Sequence, residues 1–413
     1  MPNRAERSWI LNDWANSAYS VAITTAILPL YFKDVASRGL SPSDSTAYWG
    51  YANTAATLVA AVAAPLLGTL ADTRGYKKPY FAFFTFMGVF FTAALALAGP
   101  GSWLLCLALY AFSALAFSCM NVFYDAFIVD VAPPERMHWI SSAGFGWGYI
   151  GSTIPFLAGI IIILKPAWVG LTSTEAATRI SFVLIALWWG LFSLPMLRHV
   201  RQVHGVEPSS HPFRDSFRRL RETFRELGKH REAFLFLAAY FFYSDGISSL
   251  IKMSAVIGRD IGLPAKTLLG MIFALQVAAF PFALLYGKLA ARLPPRLLIF
   301  IGIGVFLGVT LSVPLMHHEW QFWILTLCMA SSLGGVQSLS RSVFGKLIPA
   351  DRSSEFFGFY NVMGKFAAIF GPLFMGLVSQ ATGDPRMSSL ALAPFFLVGG
   401  ALLYRRKAPG DGS

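Results

Sequence analysis

The sequence predicts an all-α membrane protein, with twelve transmembrane helices in two parallel six-helix repeats. First, 55% of the 413 residues are hydrophobic and only 13% are charged, against about 45–50% and about 25% in soluble domains; the mean hydropathy is +0.57. Second, this apolar excess is spread over twelve runs, each near the roughly 20 residues needed to cross a bilayer. Third, landmarks of the first half return in the second at a nearly constant offset. The alternating segments of about 10 residues that mark a membrane β-barrel do not occur.

The runs begin near Trp14, Thr46, Pro79, Trp103, His138, Ile180, Ala233, Ala265, Arg296, Trp320, Glu355 and Met387. The first follows a short segment with Arg4 and Arg7, contains Asp13 and Asn16, and has no small-residue cleavage site after it. It therefore reads as a retained helix, not a signal peptide. With the N-terminus inside, the cytoplasmic segments hold 23 Lys or Arg and the outer segments 7, leaving Lys252, Lys288 and Lys365 at membrane depth. Both termini are thus expected in the cytoplasm, in the inner membrane if the source is bacterial. The net charge of +12, which in a soluble protein would suggest nucleic acid, is then a topology signal, and no nucleic-acid partner is expected. Cys106, Cys119 and Cys328 lie in apolar runs without a C-x-x-C or a His at metal spacing, so neither a disulfide framework nor a zinc site is indicated, and no cofactor is expected.

Residues 198–232 divide the chain into a first half, 1–197, and a second, 233–413. Within this linker Phe213, Phe217, Leu220, Phe224 and Leu227 form one helical stripe after Pro212, with Arg214, Arg218, Arg221 and Arg225 on the other side. Such a helix is expected on the inner leaflet, its Arg residues near anionic membrane lipids; a calmodulin-like or nucleic-acid target is the alternative.

Gly68-Thr-Leu70-Ala71-Asp72-Thr-Arg74 returns as Gly287-Lys-Leu289-Ala290-Ala291-Arg292, 219 residues on. Pro133-Pro-Glu135-Arg136 returns as Pro349-Ala-Asp351-Arg352 at 216, and Pro155 and Gly159 as Pro372 and Gly376 at 217. Since each half holds an even number of spans, the repeats are parallel, related by an axis along the membrane normal.

The segment Gly68-Thr-Leu-Ala-Asp72-Thr-Arg74-Gly75-Tyr-Lys77-Lys78, between spans two and three, resembles the signature loop of the major facilitator superfamily. It departs from that pattern at Thr73 and Tyr76. Small residues permit close helix approach, and Asp72 is placed to face the positive end of the helix opening near Ser353 and Glu355. The resemblance implies a latch on the cytoplasmic side, to which Gly68, Asp72, Arg74, Gly75, Lys77, Arg341 and Glu355 are assigned. The second copy has Ala291 at the Asp position, so its latch is expected to be weak.

Four further segments resemble the vacuole-effluxer-like branch: Asn12-Asp13-Trp14-Ala15-Asn16-Ser17-Ala18-Tyr19, Val122-Phe123-Tyr124-Asp125-Ala126-Phe127, Tyr243-Ser-Asp245-Gly246, and Gly334-Gly335-Val-Gln337-Ser338-Leu-Ser340-Arg341-Ser342. Glu355-Phe-Phe-Gly358 and Gly364-Lys365 extend the last of them. The departures are Asn12, where Tyr is expected, and Asp125, where Asn is expected. The resemblance implies export, with amino acids as the cargo of the fungal members.

Ionisable groups at membrane depth are costly and by default face a cavity or a partner. Asp13, Asn16, Ser20 and Thr24 share a face of span one, bordered by Tyr19; Asp13 either caps the helix start or serves coupling. Asp245, Ser248, Ser249 and Lys252 share a face of span seven, but Asp245 and Lys252 are about 10 Å apart along the axis. Lys252 is therefore expected to meet a carboxylate of span one or four, and Asp245 to meet Lys365; a fixed ion pair holding helices together is the alternative. Asn121, Tyr124 and Asp125 in span four, Gln337 in span ten, and Asn361 with Lys365 in span eleven complete the candidate cavity. A zwitterion needs an anion for its ammonium, Asp125 or Asp245, and a cation for its carboxylate, Lys365 or Arg341.

The sequence thus reads as a secondary transporter, not an enzyme. It is expected to act as a monomer, exporting a small solute, most naturally an amino acid, by alternating access. Protons or a counter-solute would drive it through Asp13, Asp125 and Asp245. A transporter of lipid, lysolipid or another amphiphile is the rival. An intramembrane enzyme would need a nucleophile with a base, or a metal-ligand set, and no H-E-x-x-H or similar pair occurs.

Overall fold

The computed structural model describes residues 2–208, 212–225, 231–260 and 262–405. Among these, eleven helices are long and apolar enough to cross a membrane. The twelfth span is the first segment, where Arg4–Tyr19 is α-helical, Ser20–Ala26 π-helical, Ile27–Tyr31 α-helical and Phe32–Ala36 π-helical again. Its polar residues and these wider turns set it apart from the apolar rods that follow. Spans two to six are Pro42–Ala71, Lys77–Ala94, Trp103–Ala126, Met137–Leu164 and Thr174–His199. Spans seven to eleven are Arg231–Asp260, Ala265–Leu289, Pro295–Ser312, Glu319–Leu347 and Ser353–Thr382, and span twelve ends as Ala393–Arg405.

Span one starts ten residues before the position suggested by its apolar run. Asn3 caps it, accepting from the Glu6 amide while the Glu6 carboxylate takes the Asn3 amide, a capping box that satisfies orphan helix-start donors. Asp13 consequently lies in the third turn and cannot cap the helix start, which removes one of its two readings.

The repeat appears in the neighbours each helix chooses. Span one packs on six, two on four, three on four and three on six; seven packs on twelve, eight on ten, nine on ten and nine on twelve. Every pair in the first set returns six spans later. Large aromatic side chains fill the first bundle: Trp9 stacks on Tyr124, Tyr19 on Phe117, and Trp189 packs against both members of the latter pair.

By contact the chain forms two compact units, Met1–Ala132 with Trp147–Phe217 and Ala350–Gly358, and Pro133–Gly146 with Arg218–Pro349 and Phe359–Ser413. The start of span eleven therefore packs within the first unit, and the start of span five within the second. The linker helix runs from Pro212 to Arg225. Its Ser216 and Thr223 are buried and its Phe217 is exposed. Leu227, Arg406 and Lys407 lie outside the described residues.

Candidate functional site: a buried latch and the polar residues of the spans

Span two ends at Ala71, and Asp72 caps it. A β-carbon on Gly68 would stand 2.2 Å from the Ser354 carbonyl oxygen, so only glycine lets spans two and eleven cross this closely. That approach carries Asp72 to the start of span eleven, where Oδ1 accepts from the Ser354 amide at 2.7 Å and Oδ2 from the Glu355 amide at 2.9 Å. These amides are helix-start donors without intrahelical partners, and the helix dipole favours an anion there. Burial pushes the Asp72 carboxyl up to about 7, opposed by the nearby Lys77 ammonium and the two amides.

Gly75 turns the chain at φ +86° and leads into Lys77, which is fully buried. Its Nζ lies 2.7 Å from Asp130 Oδ2, donates to Ser353 Oγ at 2.9 Å, and sits 5.3 Å from the centre of the Phe127 ring. The segment after span six straps this loop in place. Gln202 Oε1 accepts from the Gly75 and Lys77 amides, Asp130 Oδ1 accepts from the Val203 and His204 amides, and Val206 exchanges backbone hydrogen bonds with Asp72 and Arg74. Asp130 and Gln202 are thus central residues that the signature motif does not contain. Arg74 and Glu355 enter differently from expectation. Arg74 pairs with exposed Glu207 at 2.6 Å, outside the buried network. Glu355 contributes its backbone amide, while its carboxylate is held by Arg352 at 3.0 Å.

The second copy, degenerate at Ala291, is furnished with other chemistry. Buried Arg341 of span ten donates to Ser141 Oγ at 3.0 Å and to the Ser141 carbonyl at 3.1 Å, and lies 4.3 Å from the centre of the Phe145 ring. Ser141 donates on to the Ser338 carbonyl, Ser142 Oγ meets Ser338 Oγ, and His138 Nδ1 meets Ser342 Oγ at 2.8 Å. Gly287, the counterpart of Gly68, sits where a β-carbon would be 2.6 Å from Ser142 Cβ. A serine cluster around one guanidinium stands at this second copy, which lacks the carboxylate. The signal available in the sequence was the run Ser338 to Ser342 facing Ser141 and Ser142.

The membrane-depth residues divide into buried and exposed sets. Asn16 donates to Asn121 Oδ1 at 3.1 Å, joining spans one and four. Tyr19 is fully buried with its hydroxyl on Ser113, and Tyr124 is buried with its hydroxyl on the Trp9 carbonyl; as placed, both are core residues of the first bundle. Asp13 and Asp125 are buried, and Asn121, Gln337, Asn361 and Lys365 are half-buried. The face expected to run from Asp13 to Thr24 is split. Asp13 and Asn16 are buried, whereas Ser20 and Thr24 are exposed, and the change falls where the π-helical run begins at Ser20.

Asp245 is fully buried and does not meet Lys365. Its carboxylate accepts from Ser249 Oγ at 2.9 Å and from the Gly371 amide at 3.0 and 3.1 Å, directly before Pro372 inside span eleven. Lys252 is exposed and, among the described residues, forms no ion pair with a carboxylate of span one or four. The reason is geometric: span seven turns Asp245 toward span eleven and leaves Lys252 on an open face.

The fold and the relatives define a transporter of the major facilitator superfamily. Over 98% of this chain and 100% of the other, the structure resembles that of the MFS transporter FucP in the outward conformation, with a TM-score of 0.77 at 15% identity. The chain belongs to the vacuole effluxer Atg22-like family, whose pattern matches residues 41–408. It is 46% identical to the uncharacterized MFS-type transporter YxiO of Bacillus subtilis (strain 168), over 97% of this chain and 94% of that protein. It is 29% identical to autophagy-related protein 22 of Eremothecium gossypii over 60% of this chain and 52% of that protein, and so spans about half the length of that fungal relative.

Proposed function

We propose that this transporter exports an amino acid or related zwitterion by alternating access coupled to protons, with the halves 1–197 and 233–413 moving about the linker and both termini in the cytoplasm. The observation that carries the reading is the Asp72 carboxylate on the two helix-start amides of span eleven. A contact made of one carboxylate and helix-start backbone donors can be released to water and remade, since water satisfies both sides when it opens. The Atg22-like family description, an effluxer, supports the outward direction.

Substrate recognition is assigned to exposed groups at membrane depth: Ser20, Thr24 and Thr25 where span one is π-helical, and the Lys252 ammonium for a carboxylate. Asp125 is the candidate for the substrate ammonium, with Asn16, Asn121, Gln337, Asn361 and Lys365 as supporting polar groups. Coupling is assigned to Asp245. A proton gained or lost there changes the acceptor that holds the Gly371 amide at the Gly-Pro step of span eleven; Asp13 and Asp125 are the further coupling candidates.

The test is efflux of labelled amino acids from proteoliposomes with and without an imposed pH gradient. Wild type should respond to the gradient, and Asp245→Asn should transport without that response. A wild type indifferent to pH overturns the coupling. Thermal-shift titration across amino acids, peptides and lysolipids identifies the cargo, because only ligands of the native state stabilise it. Stabilisation by lysolipids alone replaces the zwitterion with an amphiphile.

A further inference from the structure

Where span three begins and span six ends, a cavity of about 540 Å³ is walled by Pro79, Ala82 and Leu197 and rimmed by Lys78, Arg201 and Gln202. Lys78 is half-buried and Arg201 exposed. No carboxylate lines the cavity, and among the described residues neither cation forms an ion pair or a side-chain hydrogen bond. Two like charges sharing a cavity repel one another, so the site as built lacks an anion. Its apolar side is equally specific. Pro79 and Ala82 continue along the same helix face into Phe83, Phe86 and Phe90, all exposed large side chains of a membrane span. The cavity therefore joins a doubly cationic rim to an apolar track that runs along the surface facing lipid tails.

We propose that this cavity binds an acidic phospholipid of the cytoplasmic leaflet, its phosphate held between Lys78 and Arg201 and an acyl chain lying along the Phe83–Phe86–Phe90 face. Guanidinium grips two phosphate oxygens at once while ammonium acts as a point charge, and basic recesses at the cytoplasmic ends of spans attract anionic headgroups. A phosphate bridging Lys78 and Arg201 ties span three to the segment that carries Gln202, the residue that already holds the Gly75 and Lys77 amides. This inference rests on the cytoplasmic placement of these span ends proposed above and does not depend on which solute is carried.

The test uses the delipidated full chain in detergent, with thermal unfolding followed against dioctanoyl phosphatidylglycerol, dioctanoyl phosphatidylcholine and inorganic phosphate. Phosphatidylglycerol is expected to raise the midpoint by several degrees at concentrations where the other two have no effect. In Lys78→Gln/Arg201→Gln the half-saturating concentration should rise at least tenfold, and in Lys78→Arg it should stay near wild type. Equal stabilisation by phosphatidylcholine, or an unchanged response in the double variant, overturns the proposal; a full effect from inorganic phosphate makes the ligand a free anion instead of a lipid. Photoreactive phosphatidylglycerol on the wild type gives an answer independent of any variant. Adducts within 78–90 or 197–202 support the site, and adducts confined elsewhere overturn it.

Discussion

Lys77 and Arg74 stand three residues apart in one loop and carry very different weights. Arg74 pairs with Glu207 where the two side chains are 60% and 76% exposed, and such surface pairs contribute about 0–1 kcal/mol. The side chains of Lys77 and Asp130 are both fully buried, and removing one partner of a buried pair costs about 3–5 kcal/mol because the other charge is stranded. Lys77→Ala should accordingly lower the unfolding midpoint strongly and Arg74→Ala barely move it. Lys77→Ala/Asp130→Ala should recover part of the loss, all readable by thermal unfolding in detergent. Asn12 presents the opposite case. It is fully buried, among the described residues neither side-chain amide atom has a hydrogen-bond partner, and a buried unsatisfied polar group costs about 1–3 kcal/mol. Asn12→Leu, close in volume, should raise the midpoint; a fall would show that the amide has a role that packing does not reveal.

Among elements, the crossing of spans two and eleven is the most constrained. Gly68 faces the Ser354 backbone, and a β-carbon on Gly358 would lie 2.8 Å from Pro65 Cα and 2.9 Å from the Ala64 carbonyl oxygen. Backbone cannot swing aside as a side chain can, so Gly68→Ala should push the helices apart and speed hydrogen exchange at the Ser354 and Glu355 amides at least tenfold. Gly50→Ala is the control in the same helix, because nothing lies within 4 Å of its added carbon. The helices themselves were legible, since length and apolarity suffice to mark a span, and the signature loop announced Gly68 and Asp72. The strap from Gln202 to Glu207 was not, because it works through backbone amides and carries no periodic pattern. The split face of span one was hidden as well, because equal spacing along a helix does not say which turns the neighbouring spans cover, and they bury Asn16 but not Ser20 or Thr24.

For the molecule as a whole, the proposed latch at Asp72 predicts a pH dependence of its own. Asp72 has its carboxyl raised from 3.8 to about 7 when buried at span eleven, so the closed contact binds a proton more tightly than the open, solvated one. A raised acid favours its buried state most at low pH and progressively less as pH climbs through the raised value. Closing of the contact should therefore strengthen as pH falls from about 7 toward 4, measured as slower exchange at Ser354 and Glu355, and Asp72→Asn should flatten that dependence. The two-copy plan was legible from three landmark offsets, and the matching helix neighbours follow from it. The chemistry at each copy was only half legible. An absent carboxylate at Ala291 reads as loss; the sequence singled out Arg341, but not that its guanidinium would be held by the Ser141 hydroxyl and carbonyl of span five.

The exchange of short segments between the two compact units has a consequence for how the chain can be cut. Nine residues of the second half, Ala350–Gly358, complete the first unit, and 14 residues of the first half, Pro133–Gly146, complete the second. Translated as two separate polypeptides divided in the linker, each product would present an unfilled groove and an unhoused helix end at once. Neither should be stable alone, yet each supplies what the other lacks. Co-expression of 1–208 with 209–413 should yield a pair that purifies together, and Gly68→Ala should disfavour reassembly even though both fragments keep all their spans.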